Sequence, residues 1–151
     1  MNRMEIANAY HDRGFNCCQS VLAAYLDSLN LPEETALSLG AGFGSGAGTG
    51  ELCGAVTGAI MALDLMLPID LEAPVAGKRR AAALSRELQK RFAERFDAVR
   101  CRELLKNTKE EPSPAVAAMG LTNHCAVMIA SAVELTEELL EEELAREDGA
   151  Q

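Results

Sequence analysis

Across residues 40–50 every second residue is glycine. Gly40, Gly42, Gly44, Gly46, Gly48 and Gly50 place six of the chain's twelve glycines in eleven positions. No other stretch of the 151 residues constrains the fold so strongly. Each glycine costs a helix interior about 1 kcal/mol relative to alanine, and gives a strand no side chain to pack. Regular structure must stop here, and the backbone must be tightly bent or closely approached by another part of the molecule.

Helical patterns stand on either side of this loop. Residues 2–13 predict a first helix, ended by Gly14 as a left-handed C′ residue. Asn16 is placed to cap a second over about 17–29, with Val21, Leu22, Tyr25, Leu26 and Leu29 at helical spacing. Pro32-Glu33-Glu34 opens a short third, proline in the first turn and carboxylates facing the dipole. A fourth is expected over about 51–67, stopped by Pro68. Its Gly50, Gly54 and Gly58 fall four apart and form a smooth stripe that another helix can approach closely.

The fifth helix spans about 72–99 and carries Leu84, Leu88, Phe92 and Phe96 on one face. A short helix over 101–106, a loop at Glu110-Glu111-Pro112-Ser113-Pro114 and a last helix over about 122–146 complete the series, the acidic final turns expected to be solvated and frayed. Aromatic residues are only 4%, whereas a pleated sheet wants aromatic and β-branched side chains. The fold expected is all-α, an irregular helical bundle of about five to seven helices. It forms a single domain over 1–151, with 147–151 as a disordered tail.

Charge and hydropathy narrow the function. A formal net charge of −9 argues against nucleic acid, which needs clustered Lys and Arg. The longest basic run, Lys78-Arg79-Arg80, reads as a solvated helix face. The most apolar window, 52–69, is interrupted by Gly54, Thr57, Gly58, Asp64 and Pro68, so a buried central helix is expected there and no membrane span. Met1-Asn2-Arg3-Met4-Glu5 leads into an amphipathic pattern with no apolar leader, which places the protein in the cytoplasm, where thiols stay reduced.

The chemistry rests on five cysteines: Cys17, Cys18, Cys53, Cys101 and Cys125. Their spacing matches no zinc ribbon, no CxxC oxidoreductase and no CxxCH haem attachment site. Placement says more. Cys17, Cys53, Cys101 and Cys125 each fall in or near the first turn of a predicted helix, where unpaired N–H groups and the helix dipole favour thiolate, the form that attacks disulfides or binds metal. Four such positions suit four converging ligands or redox-active thiols. The opposing reading is that they are small buried hydrophobes.

The glycine loop does not make a nucleotide site. It holds only the degenerate Gly42-Phe43-Gly44-Ser45-Gly46-Ala47, no strand precedes it and no P-loop lysine follows. More plausibly, Gly44, Gly46, Gly48, Gly50 and Gly54 give a cofactor close backbone access beside Cys53, their N–H groups hydrogen-bonding cluster sulfurs. His11 and His124 are the only histidines. His124, beside Cys125, is either a metal ligand or a modulator of the thiol, or a solvent-exposed residue near a helix start.

Four segments carry a family resemblance: Gly14-Phe15-Asn16-Cys17; the glycine loop with Cys53-Gly54-Ala55-Val56-Thr57-Gly58; Cys101-Arg102-Glu103-Leu104-Leu105; and Cys125. Over about residues 7–140 the chain resembles the redox-active protein family named for its C_GCAxxG_C_C cysteine pattern. The order here is CGAVTG where the name has GCAxxG. The resemblance implies a small, mostly helical protein that uses Cys17, Cys53, Cys101 and Cys125 in redox chemistry or as ligands of an iron–sulfur centre. Related helical segments occur in split-Soret cytochromes, but their haem attachment motif is missing here. Cys18 sits where a small residue is usual, which leaves it a spare ligand, a resolving thiol or filler.

Two functions follow. One is an iron–sulfur protein for electron transfer or redox sensing, with zinc as the other metal that four thiolates suit. The other is a cofactor-free dithiol–disulfide or thiol-switched binding protein. Neither includes an identifiable substrate site. The glycine stripe and the acidic, apolar-rich helices suggest a homodimer, and electron transfer calls for a redox partner protein.

Overall fold

The computed structural model describes residues 1–106 and 109–149. Eight α-helices form among them, with no strand: α1 Arg3–Asp12, α2 Cys17–Ala23, α3 Glu33–Leu39, α4 Gly54–Met66, α5 Pro74–Phe96, α6 Cys101–Leu104, α7 Pro114–Ala117 and α8 His124–Gly149. The all-α expectation holds. The count exceeds five to seven because a one-turn helix, α7, forms where the proline-rich loop ends. There Ser113 caps the turn and Pro114 occupies its first position.

Caps place the early helices where side-chain chemistry puts them. Asn2 and Asn16 each accept from the backbone N–H three residues on, and Glu5 and Gln19 return the bond to the cap's own N–H. Gly14 takes φ +103°, the left-handed step that ends α1. Helix α2 is shorter than the apolar spacing suggests. Regular helix stops at Ala23, and hydrogen-bonded turns carry the chain onward, with Tyr25 and Leu29 buried in them. Tertiary packing, not helical continuity, fixes those side chains.

The centre of the molecule is α4 against α2 and α8, with α1 and α5 on the outside of α8. Helix α4 is buried at Gly54, Ala55, Val56, Gly58, Ala59, Ala62 and Leu63. Helix α8 is buried continuously from Ala126 to Val133, so its first half is a core element on every side. Among the described residues no helix is long and apolar enough to cross a membrane. Phe92 and Phe96 of α5 pack with their rings tilted 52° and their centroids 4.9 Å apart in the same core.

The acidic half of α8 stays largely exposed, as expected, and is laced to α5 by ion pairs. Arg80, Arg91 and Arg95 of α5 pair with Glu147, Glu142 and Glu134 at 3.0, 2.8 and 2.7 Å. Arg80 also donates to the Leu67 carbonyl past the end of α4, at 2.8 Å. The turns expected to fray are therefore tied down at Glu147, and α8 continues to Gly149. Residues 150–151 of the expected tail lie outside the described residues.

The glycine stripe is consumed inside the chain. A Cβ built at Gly58 stands 2.9 Å from the Cys18 carbonyl oxygen and 3.0 Å from Val21 Cβ, and one at Gly54 stands 2.9 Å from the Phe43 carbonyl oxygen. The close approach that suggested a second copy is made by α2 and the loop. Overpacking at such a contact costs about 1–3 kcal/mol. Gly58→Val is expected to lower the melting temperature measurably, whereas Gly42→Ala, which meets nothing within 4 Å, leaves it in place. Thermal unfolding of the two variants measures the difference; equal melting temperatures contradict the packing argument.

Candidate functional site

The glycine-rich loop departs from both regular states. After a short helical turn at Ala41–Phe43, the backbone runs left-handed through Ser45, Gly46, Ala47 and Gly48 and again at Gly50, with φ between +54° and +74°. Residues with a Cβ resist this region, so Ser45 and Ala47 are held there by the closed turn around them. The Glu51 N–H closes it on the Gly46 carbonyl at 3.0 Å.

This turn delivers residues 51–53 against residues 99–101. The Cys53 N–H donates to the Val99 carbonyl at 2.8 Å, and the Cys101 N–H to the Glu51 carbonyl at 2.7 Å, around a single antiparallel bridge between Leu52 and Arg100. Side chains repeat the fastening outside. The Glu51 carboxylate accepts from Arg100 at 2.8 and 3.1 Å and from Arg102, which also donates to the Thr49 and Gly50 carbonyls. Sequence reasoning missed this clamp. Its signal was the acid two residues before one cysteine and the two arginines flanking another.

The four dispersed cysteines meet. Cys17, Cys53, Cys101 and Cys125 line one cavity of about 260 Å³. Leu104, Leu105 and Met128 make its apolar wall, and Ser45, Gly54 and His124 complete it. Each cysteine is at a helix start: Cys17 and Cys101 are the first residues of α2 and α6, Cys53 is the N-cap of α4, and Cys125 is the second residue of α8. All five cysteines of the chain are free thiols.

Cys18 does not join them. Adjacent residues of a helix diverge by about 100°, so Cys18 turns away from Cys17 into the core between α2 and α4. It is fully buried, its Sγ 3.9 Å from Met61 Sδ, and burial pushes its thiol up to about 11. It sits as a packing residue, out of line with both the ligand and the resolving roles considered for it. Of the five glycines expected to face a cofactor, only Gly54 lines the cavity. Gly46 makes room for the Cys101 Cβ and the Glu51 backbone, Gly44 for Asn16, and Gly50 for Arg102, while Gly48 faces open space. These four shape the loop rather than contact the cavity.

Electrostatics also revise the expectation of four helix-start thiolates. Cys53 is pushed up to about 11 because burial outweighs the N–H groups of Ala55 and Val56 that face it. Cys101 is raised by burial and by the neighbouring Cys125. Cys17 and Cys125 are electrostatically coupled and titrate as a pair, Cys125 lowered to about 6 and Cys17 raised far above the thiol range, so that one proton is held between the two sulfurs. Among the described residues, no group of three or more His, Cys, Asp or Glu side chains is disposed to hold a single metal ion.

Compared with known families, residues 15–139 match the model described as "Putative redox-active protein (C_GCAxxG_C_C)". No curated protein and no solved structure matches the chain.

The thiol pair carries its own prediction for the reduced, metal-free protein. Because the thiolate is favoured, alkylation of Cys125 should rise through a midpoint near pH 6, not near the ordinary thiol value of about 8.5. Removing the coupled thiol with Cys17→Ala should move the midpoint upward. Rates of iodoacetamide labelling against pH, read by peptide mass mapping, measure both; a midpoint unaffected by the substitution rules out the coupling as the cause.

Proposed function

We propose that this chain, which belongs to the C_GCAxxG_C_C family of redox-active proteins, holds an iron–sulfur cluster on Cys17, Cys53, Cys101 and Cys125 and serves electron transfer or redox sensing. The observation that carries the reading is the convergence of these four thiols, from four separate helix starts, on one largely apolar cavity. Four cysteine thiolates are the usual terminal ligand set of [2Fe–2S] and [4Fe–4S] clusters.

Four thiolates also suit tetrahedral zinc, but zinc has no redox chemistry, and the redox-active description of the family favours an iron–sulfur cluster. Such a group supplies one-electron oxidation and reduction. Around it, the protein's residues provide deprotonatable sulfurs, an apolar wall of Leu104, Leu105 and Met128, and a backbone clamp that holds Cys53 beside Cys101. Binding of cations would also release the protons that the thiols carry.

A second reading is favoured by the placement of Cys17 and Cys125 on one cavity and their electrostatic coupling there. In a cofactor-free protein the Cys125 thiolate attacks a substrate disulfide, Cys17 then displaces the mixed disulfide, and the substrate leaves as two thiols while Cys17–Cys125 closes. Cys18, the resolving thiol considered from the sequence, is not part of this pair, because it faces the core.

Iron and acid-labile sulfide assays on anaerobically purified protein decide between the two. The expected result is matching iron and sulfide with broad visible absorbance, abolished by Cys53→Ser and retained by Cys18→Ser. Protein free of iron and sulfide that instead forms Cys17–Cys125 on mild oxidation overturns the cluster reading in favour of dithiol exchange.

A further inference from the structure

Most arginines of this acidic chain stand in ion pairs, among them Arg80, Arg91 and Arg95, which α5 turns toward α8. Lys78, Arg79, Arg86 and Lys90 of the same helix do not. All four are exposed, and none has a hydrogen bond or ion pair among the described residues. At about 100° per residue, Arg79, Arg86 and Lys90 fall within about 40° of one another, opposite the buried Leu88 and Phe92. Exposed Ala82 and Ala83 lie between them, and residues 73–86 contain no acid. Helix α5 therefore shows solvent a straight row of unpaired cations on a smooth floor.

The row ends in an apolar tip. Of eight large hydrophobic side chains exposed among the described residues, four lie within residues 65–75, at the elbow between α4 and α5: Leu65, Ile69, Leu71 and Val75, with Leu71 at 83%. Scattered exposed hydrophobics are ordinary; a group of them beside basic charge is not. The elbow is fastened to the helix. Arg80 donates to the Leu67 and Pro68 carbonyls at 2.8 and 3.3 Å, and Ile69 Cγ2 lies 2.7 Å from where a Gly77 Cβ would stand. Val75 falls on the same side of α5 as the cations. Two acids belong to the elbow: Asp70, which accepts the Glu72 N–H at 2.9 Å, and Glu72 itself. Four unpaired cations against these two acids leave a local excess of two positive charges.

We propose that this face docks the protein on an anionic membrane surface, with Leu71 and Val75 entering the headgroup layer and Arg79, Arg86 and Lys90 lying along the lipid phosphates. A protein partner would meet apolar residues at the centre of a polar rim. Here the apolar residues project from one end of a basic row, as in segments that lie in a bilayer interface. The net charge of −9 does not prevent this, because charges more than about 8 Å from the row are largely screened at physiological ionic strength. The cysteine cavity plays no part in the docking, and a surface contact of this kind needs no membrane-spanning helix.

Sedimentation of the full-length protein with large unilamellar vesicles is the test. The expected result is binding to vesicles of phosphatidylglycerol and phosphatidylcholine in equal parts, none to phosphatidylcholine alone, and an affinity that falls as salt is raised. Reversing the row with Arg79→Glu, Arg86→Glu and Lys90→Glu together should weaken binding by on the order of a hundredfold. Leu71→Ser should weaken it severalfold and leave the salt dependence in place. Both variants alter exposed side chains and should keep the parent's circular dichroism; Leu71→Ser and the salt series do not depend on the folding of the triple variant. Failure to bind the mixed vesicles, equal binding to both kinds, or binding untouched by the charge reversal and by Leu71→Ser overturns the proposal. Protein that ignores vesicles but is retained through the same residues on immobilised polyglutamate overturns it in favour of an acidic protein partner.

Discussion

Two backbone hydrogen bonds hold this architecture to its site: Cys53 N–H to Val99, and Cys101 N–H to Glu51. They join residues 51–53 to residues 99–101, far apart in the chain, and set the starts of α4 and α6 side by side. Helix α6 is a single turn, too short to persist without tertiary support. Its support is this pairing, reinforced by the Glu51 carboxylate between Arg100 and Arg102. Exposed ion pairs of that kind are individually weak. Their value here is geometric, since they clamp the same two segments that the backbone already joins.

Burial and ionisation pull in opposite directions inside the cavity. Helix starts favour thiolate, yet Cys17, Cys53 and Cys101 are all raised, because neighbouring sulfurs and burial disfavour the charge. Cys125 alone is lowered, through its coupling to Cys17. Position on a helix is therefore a poor guide to thiol reactivity once the site is enclosed. What the enclosure favours is charge neutralised in place, by a proton shared between sulfurs or by a bound cation.

Much of this was legible in the residues. The scarcity of aromatic side chains spoke for helices, Gly14 and Asn16 marked the α1–α2 junction, and the glycine loop marked where regular structure stops. The four cavity cysteines could be separated from the fifth only in part. A linear pattern groups Cys17 with Cys18, whereas helical geometry sends them to opposite surroundings. The role of the loop glycines was misjudged for a related reason. Alternating glycine signals that the backbone must turn sharply, but not whether the space it frees is taken by a ligand or, as at Gly44 and Gly46, by Asn16 and Cys101. The Glu51 clamp is a long-range feature with no local periodicity to betray it.

The four cavity sulfurs are contributed by α2, the cap of α4, α6 and α8, that is, by elements spread along most of the chain. The last of them arrives on the helix whose first half fills the core. During synthesis on the ribosome, three cysteines emerge before that helix exists, and they have no enclosed chamber to occupy until it docks. The chamber is therefore closed by the same helix that fills the core, so a change that loosens the first half of α8 opens the cysteine site as well.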